Sequence, residues 1–298
     1  MRSLKAYFVL VVLGSLCIPN AFAQVRLGAQ GAEAEPGRMQ QWLVPSPAMD
    51  VASRARLFRP AGDGPFRLAV IAHASTQNVL RRAQMPQPEY RALAGWLVAR
   101  GFAVLVPERP GHGGGGRYLE DQGGCDEADY ARAGRATADA IAAAAGFMRK
   151  QSFIRPDGMV IVGHSAGAWG ALALAGKDPK DVSAIIAFAP GRGGHANDQP
   201  NKVCAPHTLM AAAAEFGKAA RVPVTWLVAA NDTYFSPELS RRMADALRGG
   251  GGKVEFRVLA ASGSEGHWLA ENEAGVKLAG PELDRALKPA RPAAAKKR

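Results

Sequence analysis

A serine with a glycine two places to either side, Gly163-His164-Ser165-Ala166-Gly167, is the stretch best suited to covalent chemistry. It follows a short apolar run, Gly158–Val162, and precedes a helical stretch, Ala166–Ala175. A tight strand-to-helix turn holds its central residue in a strained backbone conformation and admits only small residues two positions away. Such a turn lifts the Ser165 hydroxyl above the sheet, while the Ala166 N–H, at a helix N-terminus, can bind an oxyanion. The alternative is a glycine-rich turn without chemistry. A serine needs a base to take its proton, and the base needs a carboxylate to hold its tautomer. His267 supplies the base, on a loop after the alternating run Lys253–Leu259. Asp232 supplies the acid, after the apolar run Val222–Ala230 and so at the C-terminal end of a strand. Glu238 is a rival acid, and Glu265 is too near His267 in sequence to reach its imidazole easily.

The remaining histidines read differently. His164 is expected to pack beneath the turn and to border the pocket. His73 ends the strand Leu68–Ala72 and fixes the loop after it. His112 lies in Arg109-Pro110-Gly111-His112-Gly113, a glycine-rich loop resembling a phosphate cradle, but no Gly-Lys-Ser/Thr opens a helix behind it. Nucleotide binding is therefore not expected. His195 and His207 read as surface residues, and no set of these side chains has metal-ligand spacing. Neither a metal nor another cofactor is expected. Ala74, Trp169, Tyr234, Phe235 and Trp268 neighbour the candidate residues and complete the pocket candidates, core packing being the alternative for the tryptophans.

The elements that must position these groups alternate. Leu68–Ala72, Phe102–Val106, Gly158–Val162, Val182–Phe188 and Val222–Ala230 are continuous apolar runs, as in strands buried on both faces of a parallel sheet. Lys253–Leu259 alternates and suits the sheet edge. Helical spacing covers Glu89–Arg100 and runs from Tyr130 through Met148, and Ser236-Pro237 opens a third helix. Strands alternating with helices give an α/β fold with a mostly parallel central sheet and helices on both faces. Glu35–Arg59 predicts a β-hairpin at the front, and residues 24–40, without periodicity, a loose leader.

Composition narrows the function class. The 298-residue chain is 48% hydrophobic and 21% charged, which excludes a disordered or collagen-like chain. Residues 1–23 read as an export signal: Arg2 and Lys5, then apolar Ala6–Ile18, then Ala21-Phe22-Ala23 as a cleavage site. An uncleaved anchor is the alternative; after signal removal no stable membrane insertion is expected. The formal charge of +11 is concentrated at the ends, two units in the signal and five in the basic tail 288–298. The body lacks a basic helix or aromatic-basic interleaving, so a nucleic-acid partner is not expected. Cys17 leaves with the signal. Cys125 and Cys204 then form an even pair in an oxidising compartment, which predicts a disulfide over two buried thiols.

From about Gln41 to about Leu287 the chain resembles the α/β-hydrolase superfamily, and within it the exported members of the dienelactone-hydrolase-like branch. The elbow around Ser165 carries the resemblance, with Ala69-Val70-Ile71-Ala72-His73-Ala74-Ser75 as the oxyanion strand and Pro107-Glu108-Arg109-Pro110-Gly111-His112-Gly113 as the next loop. Ser165, Asp232 and His267 stand in the superfamily's order. The resemblance implies that the Ser75 N–H is the second oxyanion donor and that residues 190–218 form a cap excursion. Two departures stand out: Ala74 replaces the usual glycine, and Ser165 stands where true dienelactone hydrolases use cysteine. The expectation is an exported, periplasmic or secreted, serine hydrolase cleaving a small-molecule carboxylic ester through an acyl-enzyme. A peptidase or amidase with the same triad, or a non-catalytic binding protein on this scaffold, are the alternatives.

Overall fold

Each continuous apolar run becomes an inner strand because both its faces are covered by helices. The structure, a computed structural model, describes residues 26–48 and 51–288. In chain order it contains β1 (Gly28–Ala34), β2 (Met39–Val44), β3 (Ser53–Phe58), β4 (Arg67–Ala72), α1 (Val79–Ala83), α2 (Arg91–Val98), β5 (Phe102–Pro107), α3 (Tyr130–Met148) and β6 (Met159–His164). There follow α4 (Ala166–Ala175), β7 (Val182–Phe188), α5 (Pro206–Gly217), β8 (Val224–Ala229), α6 (Pro237–Gly249), β9 (Val254–Leu259) and α7 (Glu273–Ala286).

The strands form one sheet in the order β1-β2-β3-β5-β4-β6-β7-β8-β9. The first four in that order pair antiparallel, and from β5 onward every pair is parallel. Strand alternation divides the core. Leu68, Val70 and Ala72 of β4 face a cluster built with α3, α4, α5 and α6, whereas Ala69 and Ile71 face one built with α2 and α7. Every residue of α4 is buried, so the helix behind Ser165 is held on all sides. The alternating run at Val254–Leu259 forms the edge strand β9.

The front hairpin forms from β2 and β3, but the loose leader is corrected. Gly28–Ala34 forms β1, paired antiparallel to β2 with an irregularity between Gln30 and Ala34. Its side chains are mostly exposed. An edge strand solvated on both faces needs no hydrophobic periodicity, because backbone bonding to its neighbour places it. Residues 1–23, read as the export signal, and 289–298 of the basic tail lie outside the described residues. Among the described residues, no helix is long and apolar enough to cross a membrane.

The excursion 190–218 has two halves with different surroundings. Gly191–Asp198 borders a large cavity above the sheet. By contrast α5 buries Leu209, Ala212, Ala213 and Phe216 in the core beside α3, α4 and α6. The stretch before α5, with Cys204, borders the cavity, and α5 does not.

Candidate active site

Ser165 lies between β6 and α4 with φ 55° and ψ −119°, a conformation sparsely populated by residues other than glycine. Its N–H donates to the Phe188 carbonyl at 2.9 Å, and its own carbonyl accepts from Trp169 N–H at 2.9 Å. The flanking glycines are steric requirements. A Cβ at Gly163 would overlap the Ala168 backbone, and one at Gly167 would overlap the Ala72 carbonyl oxygen at the end of β4.

Asp232 and His267 are both buried. His267 Nδ1–H donates to Asp232 Oδ2 at 3.1 Å, and Asp232 Oδ1 accepts from the N–H groups of Tyr234 and Phe235 at 2.8 Å each. Glu238 stands in the first turn of α6 instead. Glu265 does not engage the imidazole. Its carboxylate accepts from His267 N–H at 2.9 Å and Thr233 N–H at 3.1 Å, and it bonds the Thr233 hydroxyl. Burial opposes its ionisation, but these bonds keep its pKa below the ordinary value, and it braces the Asp232 and His267 loops. Burial lowers the His267 pKa, Asp232 opposing it, so the imidazole is neutral and open at Nε2 at neutral pH.

Ser165 and His267 share the wall of a cavity of about 960 Å³, without a hydrogen bond between their side chains. Ala74, Ser75, Ala166, Tyr234, Phe235 and Trp268 also line it. Two pocket candidates do not. Trp169 is fully buried, with Nε1–H donating to the Tyr130 carbonyl at 2.8 Å. His164 is buried beneath the turn with both ring nitrogens engaged. Both follow from packing, since each side chain points from the elbow into the protein. His195, read as a surface residue, stacks on Tyr234 at 3.5 Å, and Tyr234 stacks on His267 at 4.3 Å. A file of three rings thus walls the cavity.

The Ala74–Ser75 segment that follows β4 is held from behind. His73 Nδ1–H donates to the Ala74 carbonyl at 2.6 Å, leaving Nε2 to accept from Arg109 N–H at 3.1 Å. His112 Nδ1–H donates to the Arg109 carbonyl at 3.0 Å, and its Nε2 accepts from the Ser75 hydroxyl at 2.7 Å. Burial, opposed by Glu120, pulls the His112 pKa down to about 4, so it serves as a neutral acceptor. The glycine-rich loop therefore anchors Ser75. Behind it lies a fully buried ion cluster in which Glu120 bonds both Arg109 and Arg192. No spacing marked Glu120 or Arg192 in the sequence. Tyr90 and Glu271, which border the cavity, were also beyond sequence reasoning.

Cys125 and Cys204 are joined by a disulfide spanning 79 positions, and both border the cavity. Replacing both with serine is expected to lower stability by about 2–4 kcal/mol, because the cross-link restricts the unfolded chain; urea unfolding without reductant measures it. Among the described residues, no group of three or more His, Cys, Asp or Glu could hold a metal ion.

Comparison with known proteins agrees with this architecture. The model of the prolyl oligopeptidase family matches residues 88–191, which hold Ser165 but neither Asp232 nor His267. No curated protein sequence matches the chain. Among solved structures, a Klebsiella pneumoniae protein assigned as a dienelactone hydrolase is similar at 15% identity and TM-score 0.55, over 84% of this chain and 97% of its own. A Pyrococcus furiosus esterase is similar at 14% identity and TM-score 0.56, over 88% and 100%. An acylaminoacyl peptidase is similar at 13% identity and TM-score 0.58, over 86% of this chain and 43% of its own. Strand order, elbow and neighbours agree: the chain has the α/β-hydrolase fold and resembles its dienelactone-hydrolase-like and esterase members.

Proposed function

We propose that the protein is a serine hydrolase cleaving small-molecule carboxylic esters through an acyl-enzyme. The observation that carries this reading is His267, hydrogen-bonded to the buried Asp232, sharing a cavity wall with Ser165 on a strained turn. Asp232 holds the imidazole with its proton on Nδ1, so Nε2 takes the Ser165 proton as Oγ attacks the ester carbonyl. The carbonyl oxygen becomes an oxyanion facing the amides of Ala166 and Ser75, each worth about 3 kcal/mol in such sites. His267 then returns the proton to the leaving alcohol, and water, deprotonated by the same imidazole, releases the acid.

A peptidase reading is favoured by the family match and the acylaminoacyl peptidase neighbour. It differs in the leaving group, an amine that must be protonated by His267. Export to an oxidising compartment is part of the proposal, and the Cys125–Cys204 disulfide supports it.

Intact mass after incubation with a fluorophosphonate tests the nucleophile. One adduct, mapped to the peptide carrying Ser165, is expected; none on folded protein would overturn the reading in favour of a binding protein. Matched ester and anilide substrates separate the two hydrolase readings. Ester kcat/KM should rise with pH to a plateau, because only neutral His267 accepts a proton. Its acid midpoint is expected below 6.5, the ordinary histidine value, since burial lowers this pKa. A midpoint above 6.5 would contradict that assignment.

A further inference from the structure

Three loops that meet at the site come from three strands, two of them neighbours and the third at the sheet edge. The proposed donor strand ends β4, the elbow ends β6, and the His267 loop follows β9 at the sheet edge. One buried hydroxyl joins them. Tyr90, immediately before α2, adopts φ 49° without capping the helix through its side chain, a strained placement for an aromatic residue. Its hydroxyl accepts from Ala74 N–H at 3.0 Å and donates to Glu271 Oε1 at 3.1 Å. It also lies 2.9 Å from His164 Nδ1. His164 Nε2–H donates to the His267 carbonyl at 2.8 Å, and His164 Nδ1 stands 3.2 Å from Glu271 Oε1.

From this junction we infer that Tyr90 and Glu271 are positioning residues of the hydrolytic site, holding the Ala74–Ser75 donor strand and the His267 loop in register with Ser165 through His164. The inference rests on the triad reading above. Tyr90 fixes the peptide immediately before the proposed Ser75 donor. His164, immediately before Ser165, fixes the backbone of the base, while Asp232 fixes its ring. Misplacing a reacting group by about 1 Å can cost about 100-fold in rate, so a shared anchor has a direct kinetic effect.

Glu271 also acts by charge. Its side chain is 42% exposed, so burial opposes its ionisation only in part, and bonds from His164 and Tyr90 and the nearby His267 keep its pKa below the ordinary value. The groups acting on Glu271 are therefore His164, Tyr90 and His267. Those acting on His267 are Asp232, His164 and Glu265, with Glu271 behind them. Removing the Glu271 charge withdraws support from the protonated imidazole.

The test is the pH dependence of kcat and KM for one ester in wild type, Tyr90→Phe and Glu271→Gln. Tyr90→Phe keeps the ring and removes the junction; kcat is expected to fall about 10- to 100-fold, with KM within about twofold and the acid limb unmoved. Glu271→Gln keeps an acceptor for the hydroxyl and removes the charge, so the acid limb should move to lower pH while the plateau kcat falls. Wild-type kcat in Tyr90→Phe, an equal rise in KM in its place, or an unmoved acid limb in Glu271→Gln would overturn the inference. If Tyr90→Phe does not fold, the Glu271→Gln profile decides. Absence of ester turnover in wild type overturns the triad reading and this inference together; turnover in wild type with unaltered variants removes this inference alone.

Discussion

Ser165→Ala is expected to abolish fluorophosphonate labelling and to lower ester kcat by about 10⁴- to 10⁶-fold, with Asp232→Asn losing about 10³- to 10⁴-fold. The two losses have different causes. Alanine removes the atom that becomes acylated and leaves the fold unchanged, because the strain at φ 55° lies in the backbone. Asparagine keeps the shape of Asp232 and can still accept from Tyr234 and Phe235 N–H, yet it no longer stabilises an imidazolium at His267. It can also present its NH₂ to Nδ1 and shift the imidazole proton to Nε2, the position that must accept from Ser165. Because Asp232 raises the His267 pKa against burial, the residual activity should show an acid limb at still lower pH. Steady-state kinetics from pH 4 to 8 check this. Near wild-type turnover in Asp232→Asn would assign the acid elsewhere.

Glu120→Gln is expected to destabilise the protein by about 3–5 kcal/mol, the largest stability loss of any single substitution considered. Glu120 is buried with its carboxylate between Arg109 and Arg192, both also buried. Burial works against its ionisation, but the two guanidinium charges prevail and hold its carboxyl far below the ordinary glutamate value. Glutamine would leave two buried cations without a counter-charge. The remaining bonds, from Arg109 to the His73 carbonyl at 2.7 Å and from Arg192 to Thr137 Oγ1 at 2.9 Å, the residue 120 carbonyl at 3.2 Å and the Tyr118 hydroxyl at 3.3 Å, do not neutralise them. Since Glu120's folded pKa is depressed, its contribution is complete above pH 4.5, the ordinary value, and is lost as pH falls below it. The urea midpoint of wild type should therefore decline below pH 4.5, whereas Glu120→Gln should start low and lack this component of the decline. An unchanged midpoint at pH 7 would show that the two guanidinium groups find other compensation.

The cluster also bears on the site. Arg109 grips the carbonyl of His73 and gives its N–H to that ring, one step from the Ala74–Ser75 donor strand. Arg192 sits in the cavity wall after β7. Glu120 thus couples the His73–Ser75 segment, proposed to carry an oxyanion donor, to the excursion that borders the cavity, and its loss should reduce activity along with stability.

Legibility in the sequence followed locality. The elbow was readable because glycine at 163 answers a steric demand made within five residues and glycine at 167 one made by the end of the neighbouring strand, and the apolar runs were readable because strands covered on both faces exclude charge. Asp232 and His267 were readable as chemical types placed after strands, although their contact spans 35 positions. Gly28–Ala34 was misread because an edge strand exposed on both faces has no periodic signature. His164 packs beneath the turn as expected and Trp169 takes the core alternative, but neither borders the cavity, because closeness to Ser165 along the chain does not determine whether a side chain turns toward the cavity or the core.

Written in the chain are the alternation of strand and helix and the strained serine turn, with Asp232 and His267 as the proposed partners of that serine. These depend on interactions between near neighbours and on patterns of burial. How the loops are tied together emerges with the folded molecule: Glu120 between two arginines, Ser75 against His112, and Tyr90 at the junction of Ala74, His164 and Glu271. Such contacts join residues as much as 181 positions apart, and a polar side chain of this kind carries no mark of its partner until folding removes it from water and it must be hydrogen-bonded.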